Sequence, residues 1–201
     1  MPPLRAGGRA VPFGLRPAAR YEKSNTVGIL MLHIYHGDGK GKTTAAMGAA
    51  LRALGHGWPV AVAQFLKDGD SGEVRVLAGL PGATVLAAGT GGKFTFQMTE
   101  AELAGVRERQ EGLLDTVGSL VRAGEARLVV LDEVLDALAT GTLAEGRLTA
   151  FLDACRPDTE VIITGRGPSE ELLARAAYVT EMRAEKHPYE HGVAARPGVE
   201  W

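Results

Sequence analysis

The glycine-rich segment at residues 37–44, with the sequence GDGKGKTT, constrains the fold more than any other part of this chain. An apolar run at residues 27–35 precedes it and an alanine-rich stretch at residues 45–54 follows it. That order predicts a strand, a tight turn and a helix. Glycines let successive backbone N–H groups converge on phosphate oxygens, and a helix N-terminus adds its positive dipole end. The segment therefore predicts a phosphate-binding P-loop.

The P-loop keeps most of the general pattern G-x-x-x-x-G-K-[ST] but has His36 at the position of the first glycine. Lys42 can reach the outer phosphates of a nucleotide, and the Thr43 hydroxyl can hold Mg²⁺. The alternative is a glycine-rich turn that only caps a helix. The residues predicted to bind ATP are Gly37, Asp38, Gly39, Lys40, Gly41, Lys42, Thr43 and Thr44, together with Arg166.

Composition excludes several classes of protein. A chain of 201 residues fits one domain. Its net charge of −2 gives no support to a nucleic-acid or membrane-surface partner, and no apolar run reaches the ~18–20 residues of a membrane span. The one cysteine, Cys155, excludes an intrachain disulfide framework and suits a reducing cytoplasm. At a predicted helix end, Cys155 is expected to be a small core residue and not a nucleophile.

The first 23 residues differ from the rest of the chain, because they are rich in arginine, proline and glycine. No adequate apolar segment follows the basic residues, so a secretory signal is not expected. We predict a flexible N-terminal arm over residues 1–23 and one folded domain over residues 24–201.

Strand-like apolar runs alternate with helical patterns between residues 27 and 182, which predicts an α/β fold. After the first strand, strands are predicted at residues 59–66, 83–87, 127–133, 160–164 and 178–182. A capping box at Thr99 and Glu102 predicts a helix that runs to about Arg122. We expect a single three-layer domain with a mostly parallel sheet, of the P-loop NTPase (RecA-like) class.

Ligands bind at the carboxyl ends of strands in such sheets, where four segments meet: the P-loop, residues 64–67, residues 132–133 and residues 164–166. Asp132 and Glu133 end an apolar strand in the manner of a Walker B segment, and either could hold Mg²⁺ together with Thr43. Arg166 carries a planar, always charged guanidinium group that suits phosphate oxygens. The alternatives are two acids and an arginine that only face solvent. Lys67 is ambiguous, because lysines are common at strand ends.

The histidines of this chain are not predicted to form a nucleophilic or zinc site. No metal-ligand spacing connects His33, His36, His56, His187 and His191, and no Ser-His-Asp arrangement is suggested. The sequence therefore predicts an ATP site with no evident protein nucleophile, as expected where the second substrate itself attacks.

On these residues the chain resembles the P-loop ATP:corrinoid adenosyltransferases of cobalamin biosynthesis and salvage. The resemblance spans residues 28–201 and rests on segments 35–45, 64–67, 131–133, 163–166 and 179–182. The most specific matches are Lys186-His187-Pro188 and Gly198-Val199-Glu200-Trp201. The chain departs from the family at His36, which replaces a small polar residue, and at Asp38, which replaces a frequent asparagine.

The resemblance implies a cob(I)yrinic acid a,c-diamide or cob(I)alamin adenosyltransferase. Such an enzyme transfers the 5′-deoxyadenosyl group of ATP to the cobalt of a Co(I) corrinoid and releases triphosphate. The family binds ATP in the reverse sense from most P-loop proteins. It also places aromatic side chains against the lower corrin face, which implies catalytic roles for Phe94 and Phe96 beside Lys42. Phe96 stands where the family often has tryptophan.

We further predict a homodimer and a flavodoxin-type or flavin reductant, with no nucleic-acid or membrane partner. Two other classes remain open from the residues alone. A small-molecule kinase would transfer the γ-phosphoryl group and release ADP, and a non-enzymatic nucleotide-binding module would use ATP to set a conformation. Phe94 and Phe96 could also alternate along an ordinary strand.

Overall fold

A computed structural model describes residues 30–200. The arm predicted at residues 1–23 lies outside the described residues, so its prediction stays untested. The strands are β1 (Met31–His36), β2 (Val60–Leu66), β3 (Ala83–Gly89), β4 (Leu128–Asp132), β5 (Glu160–Gly165) and β6 (Tyr178–Glu181). The helices are α1 (Lys42–Gly55), α2 (Gly72–Ala78), α3 (Glu100–Ala123), α4 (Val134–Ala139), α5 (Glu145–Ala154) and α6 (Glu170–Arg175).

The strands form one six-stranded sheet in the order β3-β2-β4-β5-β1-β6. Every strand pairing among residues 30–200 is parallel, so the predicted α/β fold is confirmed. Strand β4 lies at the centre and is buried along its whole length, which explains its continuous apolar run. The carboxyl ends of all the strands consequently lie at one edge of the sheet.

Two apolar cores cover the two faces of the sheet and give the predicted three layers. Helices α1 and α2 pack on one face, where Met47, Leu54 and Leu77 meet Val62 and Val130. Helices α3 to α6 cover the opposite face. Cys155 lies just beyond α5 and packs, half-buried, against this second core. Burial raises the pKa of its thiol to about 12, which agrees with a packing residue and not with a nucleophile.

Helix α3 begins where its capping box predicts. The Thr99 Oγ1 accepts a hydrogen bond from the Glu102 backbone N–H at 3.3 Å, and the Glu102 carboxylate accepts one from the Thr99 N–H at 2.9 Å. The helix ends at Ala123, and Gly124, which follows and caps it, has a left-handed φ of 76°. These caps satisfy backbone groups that a helix terminus leaves without partners.

The structure differs from the sequence predictions in three places. Helices α2 and α4 were not predicted, because helices of seven and six residues are too short to show a clear period. The apolar run that opens the first strand was predicted from residue 27, whereas β1 begins at Met31. The strand alternative for Phe94 and Phe96 is wrong, since Phe94 precedes a single 3₁₀ turn at Thr95–Gln97.

Candidate active site

A cavity of about 1220 Å³ lies at the carboxyl edge of the sheet. Its walls come from the P-loop, from the ends of β2, β4 and β5, from the loop that carries Phe94, and from the end of the chain. All four segments that the sequence predicted to meet at this edge line this one cavity. The residues of those segments that line it are 38–44, Gln64, Leu66, Lys67, Glu133, Thr164 and Arg166.

The P-loop packs closely against the backbone segment that follows β6. The Gly39 N–H donates a hydrogen bond to the Met182 carbonyl at 2.7 Å, and the Asp38 carboxylate accepts one from the Ala184 N–H at 3.1 Å. That second bond lowers the pKa of Asp38. Gly37 has a φ of 112°, and a Cβ built there would lie 2.3 Å from the Met182 oxygen. Both conditions require glycine at position 37.

Lys42 begins helix α1 and projects into the cavity. Its ammonium donates a hydrogen bond to the Gly39 carbonyl at 2.8 Å, so the side chain folds back over the loop. Burial, followed by the positive charge of Arg166, lowers the pKa of Lys42. Arg166 pairs with Asp136 at 3.3 Å and remains 64% exposed. Two cations thus converge on the mouth of the loop, where the charge of a polyphosphate would relieve their repulsion.

Asp132 is fully buried and is saturated with hydrogen bonds. Its Oδ1 accepts bonds at 2.8 Å from the hydroxyls of Thr43 and Thr164. Its Oδ2 accepts bonds from Gln64 Nε2 at 3.1 Å and from Lys67 Nζ at 2.8 Å. These donors come from three other elements of the fold, so the carboxylate fixes the relative positions of the P-loop and the strand ends.

Lys67 bridges two carboxylates, that of Asp132 at the end of β4 and that of Glu133, the next residue. Its ammonium lies 2.8 Å from Asp132 Oδ2 and 3.1 Å from Glu133 Oε1. Burial alone would lower the pKa of Lys67, but the two carboxylates outweigh it and raise that pKa. Burial also raises the pKa of Glu133, although Lys67 opposes the shift.

The oxygen donors at this end of the cavity suit a hard divalent cation. They are the Thr43 hydroxyl and the carboxylates of Asp132 and Glu133, and a lysine ammonium already lies against all three. Within residues 30–200, no group of three or more His, Cys, Asp or Glu side chains is arranged so that it could hold a metal ion by itself. Mg²⁺ commonly uses one or two carboxylates and takes its other ligands from water and substrate phosphates, so the donor set fits that ion.

Phe94 lines the rim of the cavity, and Phe96 stacks against Phe94. Their ring centroids are 5.4 Å apart with an interplanar angle of 14°, and the residues are 66% and 81% exposed. Lys93, which precedes them, pairs with Glu102 in the first turn of α3 and so anchors the loop. Two adjacent exposed phenylalanines form an apolar surface that a flat ligand could cover.

The end of the chain closes one side of the cavity, a contact that sequence reasoning missed. Lys40 Nζ donates a hydrogen bond to the Val199 carbonyl at 2.7 Å and lies 4.0 Å from the Glu200 carboxylate. Hydrogen bonds from Arg196 lower the pKa of Glu200 to about 2, so it is charged at neutral pH. The signal in the sequence was the specific motif at residues 198–201, whose contact with the P-loop no local pattern reveals.

The parallel sheet, the glycine loop at the first strand end and the carboxylate that accepts its threonine hydroxyl define a P-loop nucleotide-binding protein. The family model described as ATP:corrinoid adenosyltransferase BtuR/CobO/CobP matches residues 29–201. The chain therefore belongs to the ATP:corrinoid adenosyltransferase family, and it is a transferase whose substrates are ATP and a corrinoid.

Individual relatives agree with the family match. A corrinoid adenosyltransferase of Pseudomonas aeruginosa is 35% identical over 87% of this chain and 84% of its own length. The corrinoid adenosyltransferase CobA of Salmonella typhimurium is also 35% identical, over 84% of each chain. One from Sinorhizobium sp is 32% identical over 96% of this chain and 91% of its own length. Neither the family nor these relatives favour the kinase alternative.

Proposed function

We propose that this protein transfers the 5′-deoxyadenosyl group of ATP to the cobalt of cob(I)yrinic acid a,c-diamide or a related Co(I) corrinoid, in adenosylcobalamin biosynthesis or salvage. The observation that carries the proposal is one cavity that joins a phosphate-binding loop to Phe94, an exposed ring on which Phe96 stacks. A polyphosphate fits the loop, and a large planar apolar ligand fits the phenylalanines.

In the proposed reaction, the Co(I) centre of the substrate attacks C5′ of ATP with an electron pair. The Co–C bond forms as the C5′–O bond breaks, and the electron pair of that bond leaves on triphosphate. The cobalt is formally oxidised from Co(I) to Co(III). No protein nucleophile or general base is required, because the corrinoid supplies the nucleophile and the leaving group departs as an anion.

Lys42 and Arg166 are proposed to stabilise the charge that develops on the departing triphosphate. Cationic groups fixed where charge develops contribute most when they are pre-positioned and partly shielded from water. The backbone N–H groups of the P-loop and the N-terminus of α1 would orient the phosphate chain. The remaining P-loop residues proposed for ATP binding act through this backbone and not through side-chain chemistry.

Thr43, Glu133 and Asp132 are the residues proposed to hold Mg²⁺. When bound, the ion would neutralise charge on the triphosphate. Asp132 already accepts four hydrogen bonds, so its proposed part is to orient the Thr43 hydroxyl. Glu133 carries the carboxylate that can turn toward the cavity.

Phe94 and Phe96 are proposed to contact the lower face of the corrin, as the family resemblance implies. Apolar rings there would displace the lower axial ligand of Co(II) and make that state easier to reduce. We also propose a homodimer, a cytoplasmic location and a flavodoxin-type or flavin electron donor, all of which rest on the resemblance. In the described part of the chain, no helix is long and apolar enough to span a bilayer.

An anaerobic assay tests the proposed reaction. Chemically reduced corrinoid and MgATP are mixed with the protein, and formation of the light-sensitive Co–C bond is followed by absorbance while the nucleotide products are separated. We expect triphosphate in equal amount to the alkylated corrinoid. Production of ADP without Co–C bond formation would instead support a kinase. Comparison of kcat/KM for the diamide and for cobalamin identifies the preferred corrinoid.

A further inference from the structure

We infer that the Lys67 ammonium positions the Asp132 and Glu133 carboxylates while no metal is bound. When Mg²⁺ binds, the ammonium moves away and the metal takes its position. This inference rests on the metal site of the proposed function and extends it to a residue outside the three that are proposed to hold the ion. Lys67 is a positioning residue here, because it acts through the carboxylates.

The Lys67 ammonium lies among oxygens of the three residues that are proposed to hold the divalent cation. It is 2.8 Å from Asp132 Oδ2, 3.1 Å from Glu133 Oε1 and 3.5 Å from Thr43 Oγ1. A cation that enters between these oxygens meets a positive charge at contact distance. The ammonium must therefore move before the metal can bind there directly.

The backbone at this point is held in an uncommon conformation. Leu66 has a φ of 60° and Glu133 has a φ of 62°, and within residues 30–200 these are the only non-glycine residues with positive φ. Leu66 ends β2 and Glu133 directly follows β4, and these two strands are neighbours with Gln64 opposite Asp132. Left-handed non-glycine residues persist only where surrounding contacts compensate their cost, and the Lys67–Glu133 ion pair joins these two strand ends.

Among residues 30–200, Lys67 is the cation that lies at ion-pair distance from both carboxylates, so its removal would leave Asp132 without that partner. Asp132 is fully buried, and an unpaired buried charge is strongly destabilising. The lysine stem is flexible and the side chain is 29% exposed toward a cavity that it lines. The ammonium can therefore leave the carboxylates by rotation, without movement of the strands.

The test uses the full chain without nucleotide and measures the melting temperature (Tm) in EDTA and in millimolar Mg²⁺. We expect Lys67→Met to lower the Tm in EDTA by roughly 5–10 °C, and Mg²⁺ alone to restore most of that loss. The parent protein should respond little to Mg²⁺, because its carboxylates are already neutralised. Lys67→Arg, which keeps the charge, should respond as little as the parent.

Two further variants separate this role from a general effect. Lys93→Met removes the exposed ion pair with Glu102 and should show no response to Mg²⁺. The double variant Lys67→Met/Glu133→Gln should lose most of the rescue. If Lys67→Met is unfolded in EDTA, Mg²⁺ but not an equal ionic strength of Na⁺ should refold it.

Three outcomes would overturn the inference: a Lys67→Met protein as stable as the parent in EDTA, an equal Mg²⁺ shift in both proteins, or no rescue by Mg²⁺. Failure of the proposed metal site is a separate result. It would appear as unchanged Mg²⁺ dependence of ATP binding in Thr43→Ala and Glu133→Gln, measured by calorimetry. A Tm series that fails while the binding series succeeds therefore overturns the role of Lys67 and leaves the metal site standing.

Discussion

The backbone N–H of Gly39 lies 2.7 Å from the carbonyl oxygen of Met182, so the P-loop is hydrogen-bonded to the segment that follows β6. The two residues are far apart in the sequence and belong to adjacent strand ends, since β1 pairs with β6. The phosphate-binding loop therefore depends on an edge strand of the sheet for its conformation.

Gly37→Ala is expected to destabilise the protein by at least about 2 kcal/mol, because the position combines a strained φ with a backbone clash. The added Cβ would lie 2.3 Å from the Met182 oxygen at a φ of 112°. Gly112→Ala is the matched control, since it lies inside α3 with nothing within 4 Å of the new Cβ. It should be neutral or stabilising by up to ~1 kcal/mol. Thermal unfolding of the two variants tests this prediction. Equal stability of the two would contradict the close packing at Gly37.

Lys42→Ala is expected to lower kcat/KM by ~10²–10³, the usual loss when one cation is removed from a developing negative charge. Its Tm should change little or rise, because burial disfavours the lysine charge. Arg52→Ala on the exposed side of the same helix is the control. If the activity of Lys42→Ala were within about threefold of the parent, Lys42 would not stabilise the transition state.

Phe94→Ala is expected to leave the Tm unchanged, since the residue is 66% exposed and no apolar core is lost. Adenosylation from Co(II) cobalamin with a biological reductant should fall by at least ~10-fold, or about 1.4 kcal/mol of barrier. The loss should be smaller when Co(I) is generated chemically beforehand, and smaller for cobinamide, which lacks the nucleotide lower ligand. Equal losses in all three assays would contradict a role in displacing that ligand.

Cys155 should react with thiol reagents far more slowly in the folded protein than in urea, by at least ~10²-fold at pH 8, because the thiolate is the reactive form. The pKa of this thiol is raised from 9.0 to about 12. A raised pKa means that the folded protein favours the protonated thiol. The associated stability is complete below pH 9 and is lost as the pH rises toward 12. Cys155→Ala should lose that part of the alkaline dependence in urea titrations, and an unchanged slope would contradict the burial of the thiol.

The sequence was sufficient for elements whose signal is local. The apolar run of β4, the glycine loop and the capping box of α3 each act on their own neighbourhood, so they predicted the sheet, the P-loop and a helix start. The strands that carry the site were placed within a few residues. Helices α2 and α4 were missed because their short sequences hold too few turns to show a period.

The arrangement of the site could be predicted less completely from the sequence, because it depends on contacts between residues that are distant along the chain. Lys67 was ambiguous as a strand-end lysine, and only the adjacency of β2 and β4 brings it to Asp132 and Glu133. The contact between Lys40 and Val199 likewise joins positions 159 residues apart. Phe94 and Phe96 were assigned by resemblance, while their exposure required the three-dimensional fold.

Asp132 accepts four hydrogen bonds. An activity measurement alone therefore cannot tell whether a substitution at Asp132 impairs folding or impairs the chemical step. Its substitution would disturb the P-loop, two neighbouring strands and Lys67 at once. In a mutational scan scored by growth, damage at Asp132 would therefore look the same as loss of a reacting group. A parallel measurement of protein abundance would distinguish the two, since Lys42 variants should remain abundant and Asp132 variants should not.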